Sequence, residues 1–381
     1  MAVSLRSHEV SDLCIGKPAL KSLPLSATAG DALLALKKGG DTCLGVSAAD
    51  RSSPERKLIA GKLCVVDILC FLCVDENLDS PVDALKKPIS DLLSKDAALV
   101  RRVESHSSVL EALDVILDGA SCLVVPIRSG GRRKLHHHSA GGGGGGGGGA
   151  EFCWLTQEDF VRYFFNSIAH FAPIAAHSVS SLGLVRSNVL AIQYDDAALN
   201  ALPLIRRALA DQTSVAVITD DGKLVGEISP STLAACDETV AAALVMLSVG
   251  DLMAYIDYCG SPPEATVRAI KAGLREKGFK GMLELMEEEL FSPLSSSSSE
   301  DEESAGRKLR RVRSMGMQRS SEEAIVCYSE SSLVAVMVQA LAHRVNYVWV
   351  VDEEDYSLLG IVTFADVLKV FREQLERPQG F

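Results

Sequence analysis

Tyr347-Val348-Trp349-Val350-Val351-Asp352, followed by Leu359-Gly360-Ile361-Val362-Thr363-Phe364-Ala365-Asp366-Val367-Leu368, decides how this chain folds. Five apolar residues in a row, rich in β-branched and aromatic side chains, read as a strand buried on both faces. The acidic run Asp352-Glu353-Glu354-Asp355 breaks it as a turn, and Leu358 to Val362 reads as the return strand. Phe364 to Arg372 then carries a helical pattern. Upstream, Ser331-Ser332 offers an N-cap for a helix from Leu333 to Ala342, and Ile325 to Tyr328 precedes it as a leading strand. The unit is therefore strand, helix, strand, turn, strand, helix.

The same order recurs three times toward the N-terminus, so the chain is read as an internal repeat. In the first copy, Asp31 to Lys38 is the helix, Cys43 to Val46 and Gly61 to Val65 the strands, and Asp67 to Leu72 the closing helix. The second copy uses Val109 to Leu117, Ser121 to Ile127, Phe152 to Leu155 and Glu158 to Phe165. The third uses Leu202 to Leu209, Ser214 to Thr219 and Lys223 to Ile228, with Asp221-Gly222 as the hairpin signal. One corner recurs at each strand-to-helix step: Gly61-x-x-Cys64-x-x-Asp67, Cys153-x-x-Thr156-x-x-Asp159, Gly226-x-x-Ser229-x-x-Thr232 and Gly360-x-x-Thr363-x-x-Asp366. Helix capping accounts for the first polar residue of each corner. The second, three positions on and at a constant offset from the strand, asks for a further reason.

On these motifs the chain resembles the CBS-domain family, and the order of segments, including Gly226-Glu227-Ile228-Ser229-Pro230 and His343 to Tyr347, is similar to plant proteins made only of CBS repeats. The resemblance implies an α/β (α+β) fold of four βαββα repeats in two pseudo-symmetric pairs (Bateman modules), the first with the second and the third with the fourth. Residues 9–75 are assigned to the first repeat, 88–127 plus 151–167 to the second, 178–236 to the third and 322–373 to the fourth. Residues 237–291 are a helical insertion, in which Ser261-Pro262 suits the start of a helix and Val267, Ile270 and Leu274 share its inner face.

The resemblance further implies that an adenosine-containing ligand binds at the corners, with the Asp accepting from both ribose hydroxyls and the Thr hydroxyl meeting phosphate. A carboxylate, with about four lone-pair sites, suits a vicinal diol, and a helix N-terminus suits phosphate. Thr363 with Asp366 is then the fullest site and Thr156 with Asp159 the second. Asp67 keeps the ribose acceptor beside Cys64, and Ser229 keeps the hydroxyl beside a neutral Thr232. Unequal occupancy is expected, with AMP, ADP, ATP or adenosylmethionine as the ligand class and no covalent cofactor. In kinase γ subunits, basic residues just before the first strand help hold phosphate; here that place holds Asn346 and Tyr347, with His343 and Arg344 at the preceding helix end.

Composition narrows the function classes. A net charge of −12 without a concentrated basic face argues against nucleic acid. No apolar stretch is long enough to span a bilayer, and Met1 to Val10 carries no secretory signal, so a cytoplasmic, also nuclear, location without a membrane is expected. The ten cysteines lie mostly in apolar runs, and Cys70-x-x-Cys73 reads as core. Nine glycines at 141–149, behind His136-His137-His138, make 128–150 a flexible loop interrupting the second repeat. Residues 292–321, where Ser295 to Ser299 meet Glu300 to Glu303 and then Arg307 to Arg313, read as a disordered linker; Ser314 is a candidate phosphorylation site there, and the basic cluster a candidate nuclear signal. No P-loop, G-x-S-x-G or HExxH is present, so no catalysis is expected. Three readings follow: a free-standing adenosine-ligand sensor, a γ-like subunit of a SNF1-type kinase complex, and a ligand-free scaffold for a protein partner or oligomer.

Overall fold

A computed structural model describes residues 7–49, 57–93, 99–127, 151–258, 262–287 and 323–376. The 128–150 loop, the 292–321 linker and Ser314 lie outside the described residues. Four three-stranded sheets are present, with one topology. They comprise Ser22–Pro24, Cys43–Ala49 and Lys57–Cys64; Val100–Arg102, Cys122–Ile127 and Glu151–Thr156; Ala191–Gln193, Val215–Ile218 and Leu224–Ile228; and Val326–Cys327, Tyr347–Val351 and Leu358–Thr363. In each, the leading strand runs parallel to the central one and the return strand antiparallel. A helical crossover is what a parallel neighbour needs, and a turn is what an antiparallel one needs.

The crossover helices are Ala29–Gly39, Val109–Leu117, Leu202–Asp211 and Leu333–His343. Thr28, Ser108 and Ser332 cap three of them by accepting the backbone N–H of Asp31, Glu111 and Ala335. Leu202–Asp211 lacks such a cap and begins instead with proline in its first turn. Closing helices span Val65–Leu72, Gln157–Asn166, Pro230–Ala235 and Phe364–Glu376.

Sheets pair within each half of the chain. Leu20 N–H donates to Phe152 O (2.7 Å), tying the first repeat's entry to the second repeat's return strand. Tyr347 and Trp349 of the fourth repeat reach Glu227 of the third. Helices pair differently. One core joins the helices of repeats one and three, and another those of two and four. Phe164 and Phe371 stack at 4.9 Å and 2° across the second core, and Arg372 grips Asp114 through two bonds of 2.7 and 3.1 Å. Each repeat therefore meets one neighbour through its sheet and another through its helices.

The insertion after the third repeat is four helices, Val240–Met246, Val249–Asp257, Glu264–Lys277 and Lys280–Glu287. Ile270, Leu274, Met282 and Leu285 are buried in the first core, and Val267 is half-buried beside them. This element thus covers the joint between repeats one and three. Its long helix starts at Glu264 with Pro263 as N-cap, beyond the Ser261-Pro262 start expected from sequence. A residue preceding proline is biased toward extended geometry, which favours Pro262 outside the helix. Val10–Leu13, at the start of the segment assigned to the first repeat, docks on the second: Val10 is buried in the second core and its N–H donates to Ser107 O.

Eight described cysteines are free and all but Cys43 are buried; Cys236 is disulfide-bonded, a role its apolar surroundings did not signal. Burial pushes the Cys70 thiol up to about 12, which leaves it protonated and inert at neutral pH. Among the described residues no helix is long and apolar enough to cross a membrane.

Candidate functional site

The sequence places a polar pair at each strand-to-helix corner, and folding brings each pair into contact. In the fourth repeat, Thr363 ends the return strand and caps the closing helix. Its hydroxyl donates to Asp366 Oδ2 at 2.6 Å, and its backbone N–H donates to the same oxygen at 3.3 Å. Asp366 N–H returns a bond to Thr363 Oγ1 at 3.3 Å. In the second repeat, Thr156 N–H and Oγ1 donate to Asp159 Oδ2 at 2.7 and 3.1 Å. In the first, Cys64 N–H donates to Asp67 Oδ2 at 2.7 Å. All three carboxylates therefore close a capping box with one oxygen, so capping accounts for the second polar residue of these corners as well as the first, and only Oδ1 is left for anything else.

What meets Oδ1 separates the corners. Arg186 donates from Nε to Asp366 Oδ1 at 2.6 Å and pairs with it through a second nitrogen. Lys17 Nζ lies 2.7 Å from Asp159 Oδ1. Asp67 has no ion pair within 4 Å among the described residues; burial raises its pKa, against the Cys64 hydrogen bonds and the nearby charges of Lys62 and Arg206. The third corner has no carboxylate. Ser229 Oγ accepts Ser231 N–H at 3.1 Å, and the Thr232 hydroxyl donates to Ser229 O at 2.9 Å, so this corner is spent on its own turn.

Equivalent positions on the return strands of the first and third repeats carry opposite charges. Lys62 and Glu227 each follow the corner glycine, Gly61 or Gly226, on a return strand. Glu227 is fully buried and accepts from Tyr347 Oη at 2.9 and 3.0 Å and from Trp349 Nε1 at 2.7 Å. The second pair is thus closed at its centre by a charge-assisted network. In the first pair Lys62 instead has Cys43, Cys64, Asp67 and Cys122 as its electrostatic neighbours. His343 ends its helix and Arg344 caps it in the left-handed region, as their place at the helix end implies.

A cavity of about 240 Å³ is lined by Gln193, Asp196, Asn200 and Leu204 with the strand residues Ala191, Ile192 and Ile218. It belongs to the third repeat's leading strand and crossover helix, and none of the corner residues lines it. No group of three metal-ligating side chains occurs among the described residues.

Lys17, Arg186 and Glu227 escaped the sequence reading. Each had a signal. Lys17 and Arg186 both stand five residues before a leading strand, and Glu227 is a lone charge within an otherwise apolar return strand. None of the three signals names its partner.

Comparison with known proteins fits this architecture. A family model described as CBS domain matches residues 312–373. CBS domain-containing protein CBSX5 of Arabidopsis thaliana is 43% identical over 99% of both chains. The SNF1-related protein kinase regulatory subunit gamma-like PV42b of the same plant is 21% identical over 97% of this chain and 96% of its own. The crystal structure of protein MJ1225 from Methanocaldococcus jannaschii superposes with a TM-score of 0.57 at 14% identity, covering 96% of this chain and all of that one. Four sheets of one topology, four corners of one spacing and a relative at 43% identity over nearly the full length lead to one conclusion: the chain belongs to the family of CBS domain-containing proteins.

Proposed function

We propose that this chain is a non-catalytic regulatory protein of the cytoplasm and nucleus that senses an adenosine-containing ligand (AMP, ADP, ATP or adenosylmethionine) at its strand-to-helix corners and passes occupancy to a protein partner. One observation carries the reading: Thr363–Asp366 and Thr156–Asp159 each set a hydroxyl and a carboxylate in contact at a helix N-terminus. A diol acceptor, a phosphate-facing hydroxyl and free backbone N–H groups then lie within one turn. Asp67 supplies a third acceptor, while the Ser229 hydroxyl is held in its own turn with no carboxylate beside it, so the third corner is the weakest. For a switch, the ligand must bind one arrangement of the two pairs better than another, and helix contacts between pairs, such as Arg372–Asp114, are where such a preference is felt.

The test is titration calorimetry with AMP, ATP and adenosylmethionine. Binding is expected for at least one, and its loss is expected when Asp67, Asp159 and Asp366 are all changed to Ala. No heat from any of the ligands refutes the reading.

The gamma-like name of PV42b, similar over almost the whole chain, favours a second reading as a γ-like regulatory subunit of a SNF1-type kinase. Co-purification of the endogenous protein with kinase α and β subunits supports it, and their absence leaves the free-standing sensor.

A further inference from the structure

The two fullest corners share a feature that their own repeats do not supply. Each pair of repeats is entered through an arm, and each arm is fastened to the second repeat of the pair before it becomes the leading strand of the first. In the N-terminal arm, Val10 N–H donates to Ser107 O at 2.9 Å, and Leu20 N–H to Phe152 O at 2.7 Å. In the second arm, Val179 N–H donates to Ser331 O at 2.9 Å, and Arg186 exchanges two backbone bonds of 3.0 Å with Ile361. Gly360 makes the second contact so close that a Cβ there would lie 2.5 Å from Arg186 O.

Each of these fastened arms delivers one cation to a corner carboxylate. Lys17 reaches Asp159 and Arg186 reaches Asp366, both at Oδ1. The two cations occupy the same place: Lys17 lies five residues before Ser22, and Arg186 five before Ala191. The chain has built this contact twice, once with lysine and once with arginine. Asp366 is 12% exposed and Asp159 18%, so each carboxylate sits largely out of water.

We infer that Lys17 and Arg186 are resident competitors for ribose at the second and fourth repeats. This deepens the adenosine reading and rests on it. Oδ2 of each Asp is held by the capping box, so Oδ1 is the oxygen a diol needs, and the arm cation already holds it. A diol that takes Oδ1 replaces an ion pair with hydrogen bonds from neutral donors and leaves a cation to find water. The ligand must therefore lift the side chain away. Arg186 can go, because 55% of its side chain is exposed while its backbone stays bonded to Ile361. These two residues, outside the strand-to-helix motif, thus set how readily the best-formed corners accept a ligand.

The experiment is calorimetry of the full chain with adenosine and with AMP, comparing wild type, Arg186→Ala, Lys17→Ala and Arg186→Lys. Removing either cation is expected to tighten both ligands about tenfold at its own corner, the fold-change of one modest polar contact. Arg186→Lys should stay close to wild type. The gain in Arg186→Ala should vanish when Asp366→Ala is added. Equal or weaker binding by the alanine variants overturns the inference while leaving the adenosine reading intact, because the cation is then inert or holds phosphate. Absence of binding in every variant overturns both. Circular dichroism melts of each variant confirm that the protein tested is folded.

Discussion

Glu227 is the most exacting test of how the second pair is held together. The carboxylate is fully buried between the sheets and accepts the Tyr347 hydroxyl at 2.9 and 3.0 Å and the Trp349 indole N–H at 2.7 Å. Glu227→Ala removes the acceptor that both buried donors share. Taking its acceptor from a buried donor costs about 1–3 kcal/mol, so for two donors the loss is about 2–6 kcal/mol, before any cavity forms. A domain of this kind has only about 5–15 kcal/mol to lose. Tyr347→Phe removes one donor and leaves the indole in place, so about 1.5–3 kcal/mol is expected, the worth of one hydrogen bond to a charged group. The two changes share a contact, and their effects must fall short of additive. Trp349 is itself buried, and the chain has only two tryptophans, so urea unfolding followed by fluorescence in a Trp154→Phe background reads this interface directly. A loss below about 1 kcal/mol for Glu227→Ala, or additive losses in the double variant, would refute the claim that this network closes the pair.

Two further outcomes follow from the same contacts. Burial lifts the Asp67 pKa above its ordinary 3.8, so the folded state holds the proton more tightly than the unfolded chain. Stability from this group is then full at low pH and falls as pH rises from the ordinary value through the raised one; Asp67→Asn should melt no lower than wild type at pH 7 and lose that standing near pH 4, and a drop of several degrees at pH 7 counts against the burial argument. Gly281 lies where a Cβ would meet Asp79 O at 2.3 Å and Pro81 Cδ at 2.6 Å, neither of which can swing aside. Alanine in a free helix stabilises by about 0.5–1 kcal/mol relative to glycine, whereas here Gly281→Ala should cost about 1–3 kcal/mol by overpacking; a raised melting temperature would show that the helical insertion does not press on the segment between the first and second repeats.

Much of this protein was legible from local pattern. The β-branched run at Tyr347 to Val351, the Asp-Gly turn at Asp221-Gly222 and the serine and threonine caps each act within a few residues, and repetition multiplied a weak signal by four. The corner spacing also sufficed to bring Thr363 to Asp366 and Thr156 to Asp159, since three positions along a helix start is the reach of a capping box. The start of the long helix at Glu264 was misplaced because Pro262 and Pro263 compete for the same role.

The sequence by itself determined the repeated unit, its four copies and the polar pair at each corner, because helix periodicity, strand runs and caps are short-range physics. Only the tertiary structure decided who meets whom: Arg186 on Asp366 across 180 residues, Lys17 on Asp159, Glu227 beneath Tyr347 and Trp349, and helices joined between repeats one and three and between two and four. Those contacts arise from how four similar units close around one another. A charge along the chain announces that it needs a partner, and the packing of distant surfaces chooses which one.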